Sequence, residues 1–384
     1  MTGGAPEPQR PAVESADRLR KVYVEPTTRC NLSCRTCVRR TWDEPTGDMA
    51  WPVFAALVND LAQLPGPHTM AFAGIGEPLL HPRFVDMVDG AHRAGLRTEV
   101  TTNAMLLTPE MAHDLPRVGL DQLVVSIDGC TEETYGAVRP GASLERLIDN
   151  LRALRDYSTA YYSPRVRLGI EFVAMRGNVA ELPQLGRVAA AIGASFVIVS
   201  NVLPYSEELV DQTLYDRVAT AAEGREGSAS VPRWSLPRMD LCDQTVGPLT
   251  ELLRSAPCVD LLDVGLQSRN NHCPFVADGV VAVGRDGCVS PCPPLLHSYR
   301  CFVMGRQKSI RSWALGALPT DRLEALWRRP DYRDFRRRVV EFDFSPCTDC
   351  GGCDLAETNE EDCFGNPFPV CGDCLWARGI LRCA

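Results

Sequence analysis

Three cysteines near the start of the chain have the residue type and spacing of metal ligands. Cys30, Cys34 and Cys37 stand at C-x3-C-x2-C spacing in the stretch CNLSCRTC. Thiolates bind zinc or the iron of an iron–sulfur cluster. Structural zinc takes four ligands, and the next candidates along the chain are His68 and His81. A [4Fe–4S] cluster held by three thiolates leaves one iron open, so the spacing favours a catalytic cluster, with zinc as the alternative.

A second set of cysteines lies in the last third of the chain. Its candidate metal ligands are Cys273, Cys292, Cys347, Cys350, Cys353, Cys363, Cys371, Cys374 and Cys383. Cys288 is a further candidate. Zinc knuckles are the alternative for the paired cysteines.

Composition restricts the compartment and the partners. The chain has 384 residues, 17 cysteines and a formal net charge of −9. No apolar run approaches the roughly 20 residues of a membrane helix, and residues 1–20 form an arm without a hydrophobic signal core. We therefore expect a cytoplasmic protein with no membrane partner, whose cysteines serve metal or redox chemistry, with disulfides as the minor alternative. The negative charge argues against nucleic acid as the main partner.

Alternating strands and helices must position the first cysteines. Strands are predicted at 21–26, 69–74, 97–103, 122–129, 165–175 and 195–201, and helices near 51–64, 82–94, 108–115, 143–157 and 178–192. This alternation predicts right-handed βαβ units, and thus an α/β fold with a partial (β/α)6 barrel over residues 21–201. Ligands of parallel sheets gather at the carboxyl ends of the strands. The cysteines and the stretches GIGEP, TTNA and SIDG all lie at such ends.

Residues 21–201 resemble the radical SAM enzymes, whose signature is C-x3-C-x2-C after the first strand of such a barrel. The stretch AGIGEPLLHP (73–82) is similar to the GGE motif of that family, with one inserted residue. The resemblance implies that S-adenosylmethionine (SAM) chelates the open iron. It also implies that reductive cleavage of SAM gives a 5′-deoxyadenosyl radical, which takes a hydrogen atom from the substrate.

The resemblance also implies a set of SAM-binding residues at the strand ends. They are Gly74, Gly76, Glu77, Thr102, Asn103, Ser126, Asp128 and Arg139. Glu77 and the backbone around it would hold the methionine amino group, and Arg139 the carboxylate. Ser126 and Asp128 look like the ribose contacts of the family. Glu171 on the fifth strand lines the same cavity in this interpretation and is the candidate catalytic acid, base or hydrogen donor, a role for which Tyr205 and Asp240 are also open.

The tail resembles the SPASM extension of radical SAM maturases, which carries two auxiliary [4Fe–4S] clusters. Cys273, Gly287 and Cys292 fit the C-x13-G-x4-C pattern that opens this extension. The resemblance implies a cluster domain at 271–384, preceded by a linking segment at 202–270. The two clusters that the resemblance implies take about eight thiolates, so the nine candidates are one too many, and Cys288 is a further one. At least one thiol is therefore predicted to be free, or one cluster to be incomplete. The closing cysteines depart from the common C-x2-C-x5-C-x3-C pattern of the family, which leaves open which cysteines ligate which cluster.

Local patterns in the tail also predict structure. VAVGRDGCVSPC (281–292) is typical of a hairpin that turns at RDG, and residues 323–342 are typical of an amphipathic helix between the two cysteine groups. Residues 24–49 and 359–383 resemble the branch of tungsten-cofactor oxidoreductase maturases. That branch implies maturation of a protein, a peptide or a cofactor, with a reductant such as flavodoxin or ferredoxin. The alternatives are oxidation, epimerisation or decarboxylation of a small sugar, nucleoside or natural-product intermediate, and a non-catalytic metal-binding scaffold.

Overall fold

The computed structural model describes residues 18–66, 68–162, 165–215, 272–345, 347–348 and 353–383, and the backbone of three short strands between 234 and 265. Strands and helices alternate through its first part. The strands are β1 (Lys21–Val24), β2 (Thr69–Phe72), β3 (Arg97–Thr102), β4 (Gln122–Ser126), β5 (Arg167–Ala174) and β6 (Phe196–Asn201). The helices are α1 (Trp51–Gln63), α2 (Phe84–Arg93), α3 (Pro109–Arg117), α4 (Glu132–Val138), α5 (Leu144–Tyr161) and α6 (Leu185–Ile192).

The predicted partial barrel is confirmed. Strands β1 to β6 lie side by side in chain order, and every neighbouring pair is parallel. Successive residues of a strand face opposite sides of the sheet. Val22 and Val24 on β1 are therefore packed under the helices, where both are fully buried, whereas Tyr23 faces the inside of the barrel.

Helix α4 was missed in the sequence, because it is short and follows the turn of SIDG directly. It begins after Thr131, whose hydroxyl accepts a hydrogen bond from the backbone N–H of Thr134 at 3.1 Å. Ser143 caps α5 in the same way through Arg146 N at 3.3 Å. Such side-chain caps satisfy backbone donors that the first turn of a helix leaves free. The predicted helix at 178–192 is a 3-10 turn at Val179–Gln184 followed by α6.

The C-terminal part extends the same sheet instead of standing apart from it. After β7 (Trp234–Leu236), β8 (Val259–Leu261), β9 (Val264–Gly265) and the single turn α7 (Pro274–Ala277), the strands are β10 (Val280–Val283), β11 (Cys288–Ser290), β12 (Tyr299–Val303), β13 (Arg306–Ile310) and β14 (Gly316–Ala317). The order of the nine-stranded sheet is β14-β11-β10-β1-β2-β3-β4-β5-β6. Strand β10 pairs in parallel with β1, and β10 and β11 form the predicted antiparallel hairpin.

The predicted helix at 323–342 is two helices, α8 (Leu323–Trp327) and α9 (Pro330–Glu341). Pro330 opens α9, because a proline lacks the N–H that would continue α8. Asp60 on α1 is 7% exposed, and its carboxylate accepts from the Leu323 backbone N–H at 2.7 Å and pairs with Arg322 at 2.5 Å. These contacts hold the start of α8 against the barrel. No helix within the described ranges has the length and apolar character needed to cross a membrane.

Candidate active site

The loop after β1 carries Cys30, Cys34 and Cys37 and is held in place by Asp48. The Asp48 carboxylate accepts from the Thr27 hydroxyl at 2.7 Å and from Arg29 Nε at 2.9 Å. A second oxygen of the same carboxylate pairs with Arg29 Nη2 at 2.5 Å. The bidentate pair fixes the backbone just before the first cysteine, because a planar guanidinium and a carboxylate match in only one orientation.

Nitrogen donors face two of the three sulfurs. Cys30 Sγ accepts from the Leu32 backbone N–H at 3.5 Å, and the Asn103 side-chain amide lies 3.9 Å away. Arg139 Nη1 lies 3.8 Å from Cys34 Sγ. Donors of this kind stabilise a thiolate more than a thiol, so their direction fits cysteines that bind a metal.

The donor set fits an iron–sulfur cluster better than zinc. Burial raises the pKa of Cys34 to about 11 and also raises that of Cys37, so a bound metal of either kind would be needed to ionise these thiols. His81, a candidate fourth ligand for zinc, has both ring nitrogens against backbone groups, Met49 O and Arg83 N at 3.1 Å each. Within the described residues no three ligating side chains are gathered tightly enough for a single ion. Thiolates of a cluster each bind a different iron and therefore stand further apart.

The GIGEP stretch packs directly against this loop. A Cβ on Gly76 would lie 2.1 Å from Thr27 O and 2.7 Å from Arg29 O, so only glycine permits this approach. Glu77 is 2% exposed, and its backbone N–H donates to Arg29 O at 2.8 Å. Gly74 likewise lies against the side chain of Glu25. The first cysteine is thus positioned by the second strand end as well as by its own loop.

The Glu77 carboxylate already accepts hydrogen bonds from other groups of the protein. It accepts from the Thr102 hydroxyl at 2.6 Å and from the backbone N–H groups of Asn103 at 2.8 Å and Leu79 at 3.0 Å. Burial raises its pKa, and these hydrogen bonds oppose that rise. Thr102 and Asn103 therefore join Glu77 in one buried network at the ends of β2 and β3. Its contact with a methionine amino group stays a prediction.

Asp128 and Arg139 form a buried ion pair at the end of β4. Arg139 donates to Asp128 Oδ2 through Nε at 2.9 Å and through Nη2 at 2.8 Å, and Asp128 Oδ1 accepts from Val173 N at 3.0 Å. Asp128 is fully buried and Arg139 is 9% exposed. In this structure Asp128 orients Arg139 toward Cys34, and its contact with a ribose stays a prediction. Ser126 is the register partner of Glu171 on β5, so both share one face of the sheet.

A cavity of about 240 Å³ lies over the barrel mouth, and we call it the mouth cavity. The barrel contributes Tyr23, Thr101 and Glu171, and the loops at the strand ends contribute Glu25, Val38, Trp42, Gly74 and Ile75. Tyr205 and the C-terminal residues His297, Tyr299, Trp376 and Cys383 close it from the other side. Burial raises the pKa of Glu171 to about 7, and the charge of Asp128 adds to the rise. Glu171 therefore lies where the sequence predicted it, while Asp240 is outside the described residues.

Comparison with known proteins decides the family. The radical SAM superfamily model matches residues 24–163, and the model of an iron–sulfur cluster-binding SPASM domain matches residues 273–354. A protein of Pyrococcus furiosus, the tungsten-containing aldehyde ferredoxin oxidoreductase cofactor-modifying protein, is 30% identical over 372 residues, 95% of this chain and 97% of that protein. The chain belongs to the radical SAM superfamily. The cofactors of this radical SAM protein are therefore SAM, a catalytic [4Fe–4S] cluster and auxiliary iron–sulfur clusters.

Further matches agree with this family and fold. The AdoMet-dependent heme synthase of Methanosarcina barkeri is 31% identical over 186 residues, 48% of this chain and 50% of that protein. Among solved structures, native anSMEcpe with bound AdoMet superposes with a TM-score of 0.54 at 16% identity, over 88% of each chain. Streptococcus suis SuiB bound to S-adenosylmethionine gives a TM-score of 0.54 at 13% identity, over 87% of this chain and 71% of that one.

Five tail cysteines of this radical SAM protein border one apolar cavity of about 70 Å³. Four of them are predicted metal ligands, namely Cys273, Cys292, Cys371 and Cys374. Burial raises the pKa of all four, and a charge on Cys374 raises the pKa of the other three further. Such mutual repulsion of thiolates is relieved by a bound cluster. Cys301 borders the same cavity and lies on β12.

A second cysteine group lies around Ser345. The Ser345 hydroxyl is 3.0 Å from Cys363 Sγ and 3.5 Å from Cys347 Sγ. Arg306 donates to Cys347 O at 2.6 Å and borders an open cavity with Cys353. Cys350, which the sequence adds to this group, lies outside the described residues.

Cys383 does not border the cavity that Cys273, Cys292, Cys371 and Cys374 line. It borders the mouth cavity, where Trp376 Nε1 donates to its sulfur at 3.1 Å. The sequence counted one cysteine too many for two clusters, and which one is the extra thiol stays a prediction. Neither Cys130 nor Cys288 belongs to either group.

Sequence reasoning missed a buried contact between the barrel and the C-terminal part. Glu25 is 1% exposed, and its carboxylate accepts from Ile75 N at 3.0 Å and contacts His297 Nε2 at 2.9 Å. The other ring nitrogen of His297 is 3.4 Å from Glu44, and its ring meets that of Trp42 edge to face at 5.2 Å. Glu25 follows β1 directly, and a charged residue at such a buried strand end was the signal in the sequence.

This contact predicts a pH-dependent stability. Burial opposes the charge on His297, but the hydrogen bond and charge of Glu25, with the charge of Glu44, raise its pKa above the ordinary value of about 6.5. The contribution to stability is then complete below about pH 6.5 and is lost as the pH rises through the raised pKa. We expect His297→Gln to flatten the fall of the urea midpoint above pH 6.5. His113→Gln, at an exposed histidine, should leave that slope unchanged, and an unchanged slope in His297→Gln would contradict the assignment.

Proposed function

We propose that this protein abstracts a hydrogen atom from a peptide, a protein or a cofactor during its maturation. The observation that carries the proposal is the mouth cavity, which the cysteine loop, the barrel strands and the cluster-bearing C-terminal part all border. The name of the Pyrococcus furiosus relative supports a cofactor or its enzyme as the substrate. The PqqA peptide cyclase of Gluconobacter oxydans, 28% identical over 227 residues, supports a peptide.

The proposed roles of the residues follow from their contacts. When bound, the catalytic cluster and SAM supply a carbon radical that can take a hydrogen atom. Cys30, Cys34 and Cys37 would hold the cluster, and Arg139, aligned by Asp128, would bind the carboxylate of SAM. The Glu77 network would keep the GIGEP backbone rigid against the cysteine loop. Glu171 would face the substrate, and the walls of the cavity would exclude water from the radical.

The cavity volume favours one further candidate. A space of about 240 Å³ suits a small molecule or one inserted side chain better than a folded surface. A sugar, nucleoside or natural-product intermediate is therefore the second proposal. An external flavodoxin or ferredoxin would supply the electron in either case.

A deuterium-transfer experiment tests the proposal. Extract from cells grown in deuterated medium is divided into a protein fraction, a peptide fraction and a fraction of sugars and nucleosides. Each fraction is incubated anaerobically with the reconstituted protein, dithionite and unlabelled SAM. We expect deuterium in 5′-deoxyadenosine with the protein or peptide fraction. Deuterium with the sugar and nucleoside fraction alone would favour the second candidate, and no 5′-deoxyadenosine at all would contradict the proposal.

We also propose how the tail cysteines divide between the auxiliary clusters. Cys273, Cys292, Cys371 and Cys374 would hold one cluster, since they are the ligands predicted from the sequence that border one cavity. Cys347, Cys350, Cys353 and Cys363 would hold the other, around Ser345. Cys383 would remain a free thiol in the mouth cavity.

Iron counts of single and double variants check this division. The holoprotein should hold about 12 irons, and Cys292→Ala, Cys371→Ala or Cys363→Ala should each remove about four. The double variant Cys292→Ala/Cys371→Ala should still lose about four, whereas Cys292→Ala/Cys363→Ala should lose about eight. Cys301→Ala is the matched control, because that cysteine borders the first cavity and should lose none. A loss of about eight from the within-group double variant would contradict the division.

A further inference from the structure

Aromatic rings dominate the walls of the mouth cavity. Tyr23, Trp42, Tyr205, Tyr299 and Trp376 all border it. Tyr205 and Tyr299 meet edge to face with their ring centres 5.7 Å apart. The faces of such rings carry partial negative charge and attract cations, most strongly where water is excluded. An aromatic wall of this kind therefore attracts a positively charged group.

The charged side chains around the cavity are also predominantly acidic. Glu25 and Glu171 border it, and Glu44 contacts His297 from outside. Among the described residues that border the cavity, His297 is the basic side chain, and both of its nitrogens face carboxylates. Two carboxylates around one imidazole leave a net negative charge whether the ring is protonated or neutral, before Glu171 is counted.

Glu171 is the carboxylate of the cavity wall that has no hydrogen-bond partner among the described residues. Glu25, by contrast, is held by Ile75 and His297. Arg139 lowers the pKa of Glu171 through its charge, but the guanidinium is paired with Asp128. A partly buried carboxylate that no described side chain pairs is poorly compensated, so its place at a cavity wall suits a ligand that brings a positive charge.

We propose that the mouth cavity recognises a cationic group of the substrate, an ammonium or a guanidinium, through Glu171 and the surrounding aromatic rings. This inference rests on the proposed function, since it names the chemical class of the substrate at the same site. A lysine or arginine side chain of a peptide and an amine-bearing small molecule both carry such a group. SAM is itself a cation, and the experiment below separates its binding from that of the substrate group.

Binding of small probe cations tests the inference. The anaerobically reconstituted holoprotein is titrated with butylammonium, butylguanidinium and neutral pentanol at pH 8, once with saturating SAM and once without SAM. This pH lies above the value of about 7 to which burial raises the pKa of Glu171. We expect either cation to bind about tenfold or more tightly than pentanol. Glu171→Gln should remove about tenfold of the cation affinity, and Tyr205→Leu about three- to tenfold.

Matched controls carry the same substitutions outside the cavity. Glu145→Gln lies in the first turn of α5, and Tyr157→Leu lies where the ring packs against His113. Both should bind the cations as the unsubstituted protein does. Equal affinity for pentanol and the cations would overturn the inference, and so would cation binding that Glu171→Gln leaves unchanged. Cation binding that SAM abolishes would show that the cavity serves SAM, and it would overturn the inference too.

Failure of the proposed function gives a different result. A protein that forms no 5′-deoxyadenosine from SAM fails as a radical enzyme whatever the probes do. A protein that forms it and binds pentanol as well as butylammonium fails only in the substrate class.

Discussion

Replacement of Cys30 with alanine should lower the formation of 5′-deoxyadenosine by about 10³-fold or more. The three thiolates of the loop act as one unit, because a cluster that loses one of three protein ligands has no compensating donor. The described residues nearby are committed elsewhere: Asn103 donates to Asn31 at 2.9 Å, and His81 contacts backbone groups. The measurement is 5′-deoxyadenosine from anaerobic protein with dithionite and SAM, together with the iron content.

The iron content separates this effect from misfolding. Cys30→Ala should lose about four irons and keep the other eight or so, because the tail cysteines bind independently of the loop. Cys130→Ala is the matched control, since Cys130 lies beside Glu181 and away from both cysteine groups. Normal 5′-deoxyadenosine formation by Cys30→Ala would show that the catalytic cluster does not bind at the cysteine loop.

Replacement of Asp128 with alanine should have the largest effect on stability. The substitution leaves Arg139 buried without its partner, and an uncompensated buried charge costs about 3–5 kcal/mol of unfolding free energy. It also frees the guanidinium that points at Cys34, so SAM affinity should fall with stability. The measurement is the urea midpoint of the anaerobic holoprotein, with SAM binding followed in the folded range.

A double variant tests the physical reason. Asp128→Ala/Arg139→Met removes both charges and should recover part of the lost stability, although not the SAM affinity. Asp114→Ala breaks an exposed pair with Arg117 and should change stability by about 0–1 kcal/mol. If Asp128→Ala and Asp114→Ala cost the same, the buried pair does not stabilise the fold as proposed.

The barrel and the cysteine loop were predictable from the sequence because both depend on local patterns. Strand–helix alternation predicts a parallel sheet. The short spacing of Cys30, Cys34 and Cys37 predicts that all three lie in one loop, the loop after the first strand. The ends of the strands shifted by only a few residues, as at β4, which ends at Ser126 instead of Gly129. The hairpin of β10 and β11 was predictable for the same reason, since its turn lies within the segment.

Contacts between distant segments were not predictable in this way. Strand β10 pairs with β1, and Val280 lies beside Lys21. The sequence of neither strand indicates which strand it will pair with. The contact of Glu25 with His297 depends on that pairing. The roles of Glu77 and Asp128 also needed the structure, because a sequence motif does not reveal whether a carboxylate is free for a ligand or already occupied. The division of the tail cysteines likewise depends on which of them the fold brings to one cavity.

The position of β10 beside β1 has a consequence for biogenesis. The strand that leads into the cysteine loop has an unpaired edge in the nascent chain until β10 (Val280–Val283) has been made. Such an edge can pair with other chains, so the long interval between β1 and β10 favours assistance by chaperones. Delivery of iron and sulfide to the first loop before that point would meet a site whose Glu25 still lacks His297. We therefore expect assembly of the catalytic cluster to follow the synthesis of β10 and His297.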